Sequence, residues 1–231
     1  MPERDRFLKT DLLVGQFRVF KSESLEIYYA PFDFLNIEAK VAVVGIIPGW
    51  TQMEIAFRQA WTVLRNGGSA TEAVRKAKAQ ASFAGAMRNN LVKMLDEIGL
   101  QTAMGLKSCH DLFGCDSQLV HTTSAIRHPV FVHGRNYTGH SPNLLSHPVL
   151  VRYVESVLAA ELTILRQALV IPLGKCVDAA LRRLIQTGVL SARRCLLGFP
   201  HPSGANGHRR TEFEQRRGEF IRVVEEWVIP N

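Results

Sequence analysis

A single run of turn-forming residues, Gly198–Arg209, carries a dense group of polar side chains able to do chemistry. These are two histidines, a serine, an asparagine and an arginine: His201, Ser203, Asn206, His208 and Arg209. A strand that ends in such a loop before a helix commonly places reactive side chains at the edge of a sheet. The hydroxyl, backbone N–H and guanidinium groups also suit contacts with phosphate. We interpret this run, called the His201 loop below, as the centre of the site.

The strands that would position this loop are predicted from apolar runs. Val41–Ile47 is continuously apolar and rich in β-branched residues, which is typical of a central strand buried on both faces. A short strand is expected within 25–29, and further strands are predicted at 119–123, 169–173 and 194–199. Strands alternate with helical patterns, so the sequence predicts an α/β fold, three-layer α/β/α with a mostly parallel central sheet. All 231 residues are assigned to a single domain.

Helices are predicted where apolar residues recur every three or four positions: 51–66, 69–80, 89–98, 150–165, 176–186 and 211–228. Ser69 is expected to cap the second helix, with Glu72 at the capping-box position. Arg127–Pro148 is rich in proline, glycine and histidine and is predicted to be a long, functional loop.

Three loops should meet at one edge of the sheet. In parallel sheets ligands bind where loops leave the carboxyl ends of the strands. The loops that qualify are Pro48-Gly49, Thr122–Pro129 and Pro200–Arg209. Their convergence predicts a site, but not a reaction.

Composition limits the classes of protein and partner. The chain has 28 Lys and Arg against 21 Asp and Glu, a net charge of +7, which is compatible with a phosphate-bearing partner or with a solvated basic face. An apolar content of 46% is typical of a globular protein. The charged N-terminus resembles no signal peptide, and no apolar stretch approaches the length of a membrane span. We expect a cytoplasmic protein.

The four cysteines form no C-x-x-C pair, so reduced thiols are the preferred interpretation. A metal site built from Cys109, His110, Cys115 and His121 is the alternative, although its spacing is irregular. We predict no metal and no cofactor.

Five segments, taken in order, resemble the uracil-DNA glycosylase superfamily. Val41–Ile47 with Pro48-Gly49 looks like its first motif, a strand ending in G-x-x-P-G or G-Q-D-P-Y. The other four are similar to motifs of its iron-sulfur branch or to the last motif of the superfamily: Phe83-Ala84-Gly85 with the 91–100 segment, Thr122–Pro129, Val170–Lys175, and His201-Pro202-Ser203 followed by His208-Arg209.

The resemblance implies a role for particular residues. Phe83 would stack on a base turned out of DNA, and His201 would donate to the base oxygen on which charge builds. The implied base pocket contains Ile47, Pro48, Phe83, Thr123 and His128. The implied DNA contacts are Gly49, Arg127, Lys175, Ser203, Asn206 and Arg209. The alternatives are a core phenylalanine, a structural histidine and a solvated Arg209.

Several positions depart from the family pattern. Ile46 and Ile47 stand where active members carry an acid or amide that positions water, and neither can accept a proton. Thr123 replaces the asparagine that reads uracil, and Ala205 replaces the leucine wedge. The cysteines do not reproduce the iron-sulfur ligands, so no cluster is expected. Residues 50–82 form a helical insertion relative to that branch.

These departures point away from housekeeping uracil removal. The first hypothesis is a DNA glycosylase, acting as a monomer, for a modified or non-uracil base such as a hypermodified cytosine of phage DNA, in antiviral defence. Its water would be positioned by Glu54, Asp111 or His128. The alternatives are uracil excision at a reduced rate and a non-catalytic DNA-binding protein.

Overall fold

The computed structural model describes residues 6–83 and 86–228. Its strands are β1 Arg18–Lys21, β2 Leu25–Tyr28, β3 Val41–Gly45, β4 Val120–Ser124, β5 Val130–Val132, β6 Arg135–Asn136 and β7 Leu169–Pro172. Its α-helices are α1 Lys9–Leu12, α2 Trp50–Arg65, α3 Ala70–Ala81, α4 Ala86–Glu97, α5 Leu100–Ala103, α6 Pro148–Arg152, α7 Ala159–Ile164, α8 Lys175–Gln186 and α9 Arg209–Val228. A π-helical turn, Tyr153–Leu158, joins α6 to α7.

A parallel sheet in the order β4-β3-β7 forms the centre of the fold. Every residue of β3 is buried, as its apolar sequence predicts. Val41 and Val43 pack into a core with α4 and α9, whereas Ala42 and Val44 pack into a second core with the 148–164 helix and α8. The sheet is therefore covered on both sides, and the predicted α/β fold is confirmed.

A second, antiparallel sheet in the order β1-β2-β5-β6 includes part of the segment predicted as a long loop. That prediction is wrong for 130–136, where β5 and β6 form a hairpin. His133 and Gly134 make its two-residue turn with φ of 47° and 72°, the positive values that such turns require.

The strand predicted at 194–199 is also wrong. Ala192–Arg194 is a 3₁₀ turn, and a single parallel bridge joins Cys195 to Val170 of β7. The buried Arg194 guanidinium donates to the carbonyls of Leu162, Leu165 and Ala168. These bonds hold Arg194 against the end of α7. Beyond Cys195 the chain turns, since Leu197 N–H donates to Cys195, Phe199 N–H donates to Leu196 and Gly198 has a φ of 82°.

The helical segment at 50–82 is present as α2 and α3, and Ser69 caps α3 by accepting from the Glu72 N–H at 3.1 Å. Both helices pack on the N-terminal segment and the antiparallel sheet through a third core that includes Phe7, Phe57 and Phe131. They thereby bring the end of α3 to the edge strand β4. No described helix is long and apolar enough to cross a membrane.

Candidate active site

Main-chain hydrogen bonds join the ends of the three parallel strands. Leu173 N–H donates to Val44 at 2.9 Å, and Ala125 N–H donates to Gly45 at 2.8 Å. Gly174 N–H in turn donates to Phe199, just before the His201 loop, at 3.0 Å. The loops after β3, β4 and β7 thus meet the His201 loop at one edge, as the strand order requires.

His201 is held as a neutral hydrogen-bond donor. Its Nδ1 accepts the Ser203 N–H at 3.2 Å, so in the neutral ring the proton is on Nε2. Burial lowers the pKa of His201, which favours this neutral form. The side chain packs against Gly174, whose φ of 90° and close approach suit only glycine: a Cβ there would lie 3.1 Å from the His201 Cβ. The imidazole can therefore donate to an oxygen without carrying a charge.

The His201 loop is stiffened by its own polar side chains. Arg209 donates to the Ser203 carbonyl at 2.7 Å and to the Pro202 carbonyl at 3.4 Å, and Asn206 donates to the His201 carbonyl at 3.3 Å. Ser203 Oγ accepts the Ala205 N–H at 3.2 Å. Arg209 therefore acts first as a brace of the loop, and its contact with a DNA phosphate stays a prediction.

A groove of about 890 Å³ runs along this loop and the start of α8. Lys175, His201, Ser203 and Asn206 line it, so three of the predicted DNA contacts accompany the predicted catalytic histidine. The Lys175 side chain is 87% exposed and pairs with Glu212 at 3.0 Å, so its ammonium can reach a phosphate by a small movement.

Phe83 packs against the end of β3. Its ring is 3.3 Å from the position of a Cβ on Gly45, the last residue of β3. Its φ is 49°, a left-handed value that costs about 1–3 kcal/mol in a bulky residue and that clusters at ligand sites. Ala84 and Gly85, which follow it in the predicted motif, lie outside the described residues.

A small cavity brings three predicted base-binding residues together. Pro48, Phe83 and Thr123 line it, but its volume is only about 20 Å³, room for about one water. Phe83 and His201 line different cavities, so a single slot holding a base between them remains a prediction. A nucleobase could enter beside Phe83 only if this cavity widened.

Two other residues predicted to bind the base are placed differently. Ile47 packs against the core formed with the 148–164 helix. The His128 ring lies between Tyr29 and Tyr153, at centroid distances of 5.5 and 6.0 Å. Neither lines the Phe83 cavity. Burial lowers the pKa of His128, as expected of a ring packed among aromatic side chains.

A buried ion network supports the wall of that cavity. Glu161 of α7 accepts from Arg127 at 2.9 and 2.5 Å and from His121 Nε2 at 3.2 Å. His121 Nδ1 accepts the Asn36 N–H, which fixes the ring as a donor to Glu161. Burial alone would raise the pKa of Glu161, but the His121 hydrogen bond, together with nearby Lys78 and Thr123, lowers it to about 2. The carboxylate is therefore ionised at neutral pH.

The network engages two residues for which other roles were predicted. Arg127 is held by Glu161 and by Asp33 at 3.4 Å and lines the cavity, and its contact with DNA stays a prediction. His121, weighed as a metal ligand, uses both ring nitrogens in the network. Glu161 lies on α7, 34 residues after Arg127, and no sequence motif relates the two positions. The ion pair therefore left no signal in the sequence.

Gly49 has a structural role at the start of α2. Its N–H donates to Gln52 Oε1 at 2.9 Å, and Gln52 Nε2 donates to the Ala81 carbonyl at 3.3 Å. The next N–H, on Trp50, donates to Asn136 of the hairpin at 3.0 Å. The predicted phosphate contact through Gly49 would have to replace a bond already made. A glutamine three residues after a helix start is a recognisable capping signal.

Lys78 is the remaining residue that sequence reasoning missed. It lines the Phe83 cavity, its side chain is 4% exposed, and its Nζ donates to the Phe34 carbonyl at 2.7 Å. Burial lowers the pKa of this ammonium to about 8. The available signal was its position: Lys78 falls on the same stripe of α3 as buried Ala77 and Ala81.

Comparison with known proteins settles the family. A family model described as "Uracil DNA glycosylase superfamily" matches residues 32–226. The chain belongs to the uracil DNA glycosylase superfamily. "Uncharacterized protein YoxB" of Bacillus subtilis (strain 168) is 41% identical over 218 residues, which cover 94% of this chain and 85% of YoxB. No solved structure gave a significant match.

Glu54, Asp111 and His128 are the residues predicted to position a water molecule for hydrolysis. Glu54 is buried and bound by Arg58 at 3.0 Å and by the Phe7 N–H at 3.2 Å. Asp111 lies in an acidic cluster with Cys115 and Asp116, and His128 lies between its tyrosines. None of these three candidates lines the Phe83 cavity or the His201 groove. Their predicted role as water-positioning residues is therefore not supported by the geometry.

Proposed function

We propose that this superfamily member is a DNA glycosylase that hydrolyses the N-glycosidic bond of a modified or non-uracil base. The observation that carries the proposal is the neutral His201 ring, whose Nδ1 is occupied by the Ser203 N–H and whose Nε2–H is available as a donor. A fixed donor directed at developing charge is commonly a large part of such catalysis. The groove beside it offers Lys175, Ser203 and Asn206 to the DNA backbone.

In the proposed reaction the bond between C1′ and the base nitrogen breaks first, and its electron pair leaves with the base. His201 Nε2–H donates to the base oxygen that receives this charge. Water then adds to C1′ of the oxocarbenium-like sugar and loses a proton to the solvent. The departed base anion takes up a proton from the solvent, and an abasic site remains. The phosphates of the DNA stabilise the cationic sugar, which reduces the need for the general base that Ile46 and Ile47 cannot supply.

The proposed substrate is a modified base rather than uracil. Thr123 cannot offer the paired donor and acceptor of an amide, and it helps to lower the pKa of the neighbouring Glu161. Hypermodified cytosine of phage DNA, excised in antiviral defence, is the specific case proposed. The protein would act as a monomer on DNA in the cytoplasm. Slow uracil removal is the second candidate, favoured because the His201 donor can serve any base with a suitably placed oxygen.

The test is an assay for abasic sites. Matched duplexes containing a modified cytosine, uracil or only ordinary bases are incubated with the protein, and strand scission is measured after alkali. Scission of the modified duplex alone supports the proposal, and scission of the uracil duplex supports the second candidate. Binding of DNA with no scission of any duplex would refute both.

Stacking on Phe83 gives a separate prediction. Phe83→Leu removes the aromatic face and should lower kcat/KM for base release. The loss should correspond to about 1–3 kcal/mol of transition-state stabilisation, the usual contribution of base stacking. Phe83→Tyr is the matched control, since it keeps the ring and should retain most of the activity. Equal activity of the wild type and Phe83→Leu would show that the base does not stack here.

A further inference from the structure

A second cavity, of about 480 Å³, lies along the edge of β4 beside the Phe83 cavity. Helix α3 and the start of α4 form one side, and the 112–118 turns form the other. The two cavities share Lys78, Ser82 and Thr122 in their walls. We call the second one the edge cavity. Its volume is within the range of small-molecule sites.

Its charged lining is entirely basic. Arg75, Lys78 and Arg88 contribute cationic groups, and none of the described residues that line the edge cavity is acidic. Ser117, Gln118 and Thr122 add neutral polar groups. A concave site with one sign of charge concentrates ions of the opposite sign.

Lys78 has unused capacity to bind an anion. An ammonium has three donors, and the hydrogen bond identified for this one is to the Phe34 carbonyl. Two carboxylates, Glu161 and Asp33, act on it through space, but both are bound by Arg127. A buried cation without its own carboxylate is costly, and a bound anion would supply that partner.

Arg88, at the start of α4, presents a similar case. Its Nη2 donates to the Ser82 carbonyl at 2.6 Å, and its guanidinium stacks on Phe113 at 5.1 Å. Its Nε is buried and has no hydrogen-bond partner. Buried guanidinium donors are rarely left unpaired, so an unpaired one on a side chain that lines a cavity indicates a place for an acceptor.

We propose that the edge cavity is an anion site in which Lys78 and Arg88 bind a phosphate or carboxylate group. The group can come from two sources. One is a free phosphate compound of mononucleotide size, and the other is an acidic substituent on the base held beside Phe83, reaching past Ser82 and Thr122. The second source rests on the proposed glycosylase function, whereas the anion site itself does not.

Calorimetric titration of the full chain tests the site. The probes are inorganic phosphate, a deoxynucleoside 5′-monophosphate and the uncharged nucleoside. We expect the phosphate compounds to bind and the nucleoside not to bind. Affinity should fall at least tenfold in Lys78→Met and in Arg88→Gln. Lys76→Met is the matched control, because Lys76 is exposed, pairs with Glu72 at 2.8 Å and lies away from the edge cavity.

Duplexes distinguish the two sources. One carries a pyrimidine with a carboxyl substituent, and its partner carries a neutral hydroxymethyl substituent at the same position. Preference for the carboxyl duplex, lost in Lys78→Met, identifies the base substituent as the source. Equal binding of both duplexes, with phosphate still bound, identifies the free compound.

Phosphate that binds equally to the wild type and to both cavity variants occupies the Lys175 groove instead, and would overturn the proposal. Absence of binding by any anion would also overturn it. Because base release is measured separately, a protein that makes abasic sites but binds no anion here would refute this inference alone.

Discussion

A His201→Ala variant should release the base about 10²–10³ times more slowly than the wild type, the usual cost of removing one donor to a developing oxyanion. The physical reason is that Nε2–H is the donor left available by the Ser203 contact to Nδ1. The ring is neutral because burial lowers its pKa, so the loss should be similar throughout neutral and mildly alkaline pH. Single-turnover release from a duplex measures the effect without interference from product release.

The control for this variant is His110→Ala, since His110 is exposed and belongs to neither site cavity. It should leave the rate unchanged. His201→Ala should keep its affinity for DNA, because the groove retains Lys175, Ser203 and Asn206. Full activity in His201→Ala would remove His201 from the catalytic role.

Glu161→Gln should give the largest loss of stability, about 3–5 kcal/mol, the usual cost of removing one partner from a buried ion pair. The substitution leaves the Arg127 guanidinium without the carboxylate that it contacts at 2.9 and 2.5 Å. Glu155→Gln is the control on the same helical segment. The Glu155 side chain is 39% exposed and pairs with Arg183, so its loss should cost about 1 kcal/mol or less. Urea unfolding of the three proteins measures both effects.

The same carboxylate gives a pH signature. The pKa of Glu161 is about 2 in the folded protein, below the ordinary value of 4.5, so the folded state favours the ionised form. Ionised Glu161 contributes about 3 kcal/mol to the free energy of unfolding. This contribution is complete above pH 4.5 and is lost as the pH falls toward 2. The difference in unfolding free energy between wild type and Glu161→Gln should therefore shrink over this interval. A difference that stays constant from pH 5 to pH 3 would show that the charge of Glu161 is not what stabilises the fold.

The sequence was most informative where local pattern and burial agree. The apolar run of β3 can only be a strand covered on both faces, and the periodic segments became α2, α3, α8 and α9. The loops after β3 and β4 were placed correctly because parallel strand order brings them to one edge, whereas the His201 loop reaches that edge through the Cys195 bridge to Val170 and the Gly174 N–H bond to Phe199. The His201 loop followed from turn-forming residues between an apolar run and a helix.

Long-range polar contacts account for what pattern could not predict. The guanidinium of Arg194 binds three carbonyls of another part of the chain, at the point where the predicted strand would have begun. Glu161 and Arg127 are 34 residues apart, so no spacing rule relates them. Lys78 reads as a surface lysine until the edge of β4 is placed against α3.

The lining of the Phe83 cavity was predicted in part. Pro48, Phe83 and Thr123 do come together, but the space between them depends on how Phe83 packs on Gly45. Ring position at a residue with positive φ is set by the surrounding packing and not by sequence pattern. The small volume of this cavity is thus a property that only the three-dimensional structure reveals.

The most direct test of the account is a crystal structure of the protein bound to a duplex whose target nucleotide carries a 2′-fluoro group, which resists cleavage. We expect the everted base to lie against the Phe83 ring, with its oxygen within hydrogen-bond distance of His201 Nε2. A complex in which the base stays stacked in the duplex, or enters a pocket that His201 does not reach, would contradict it.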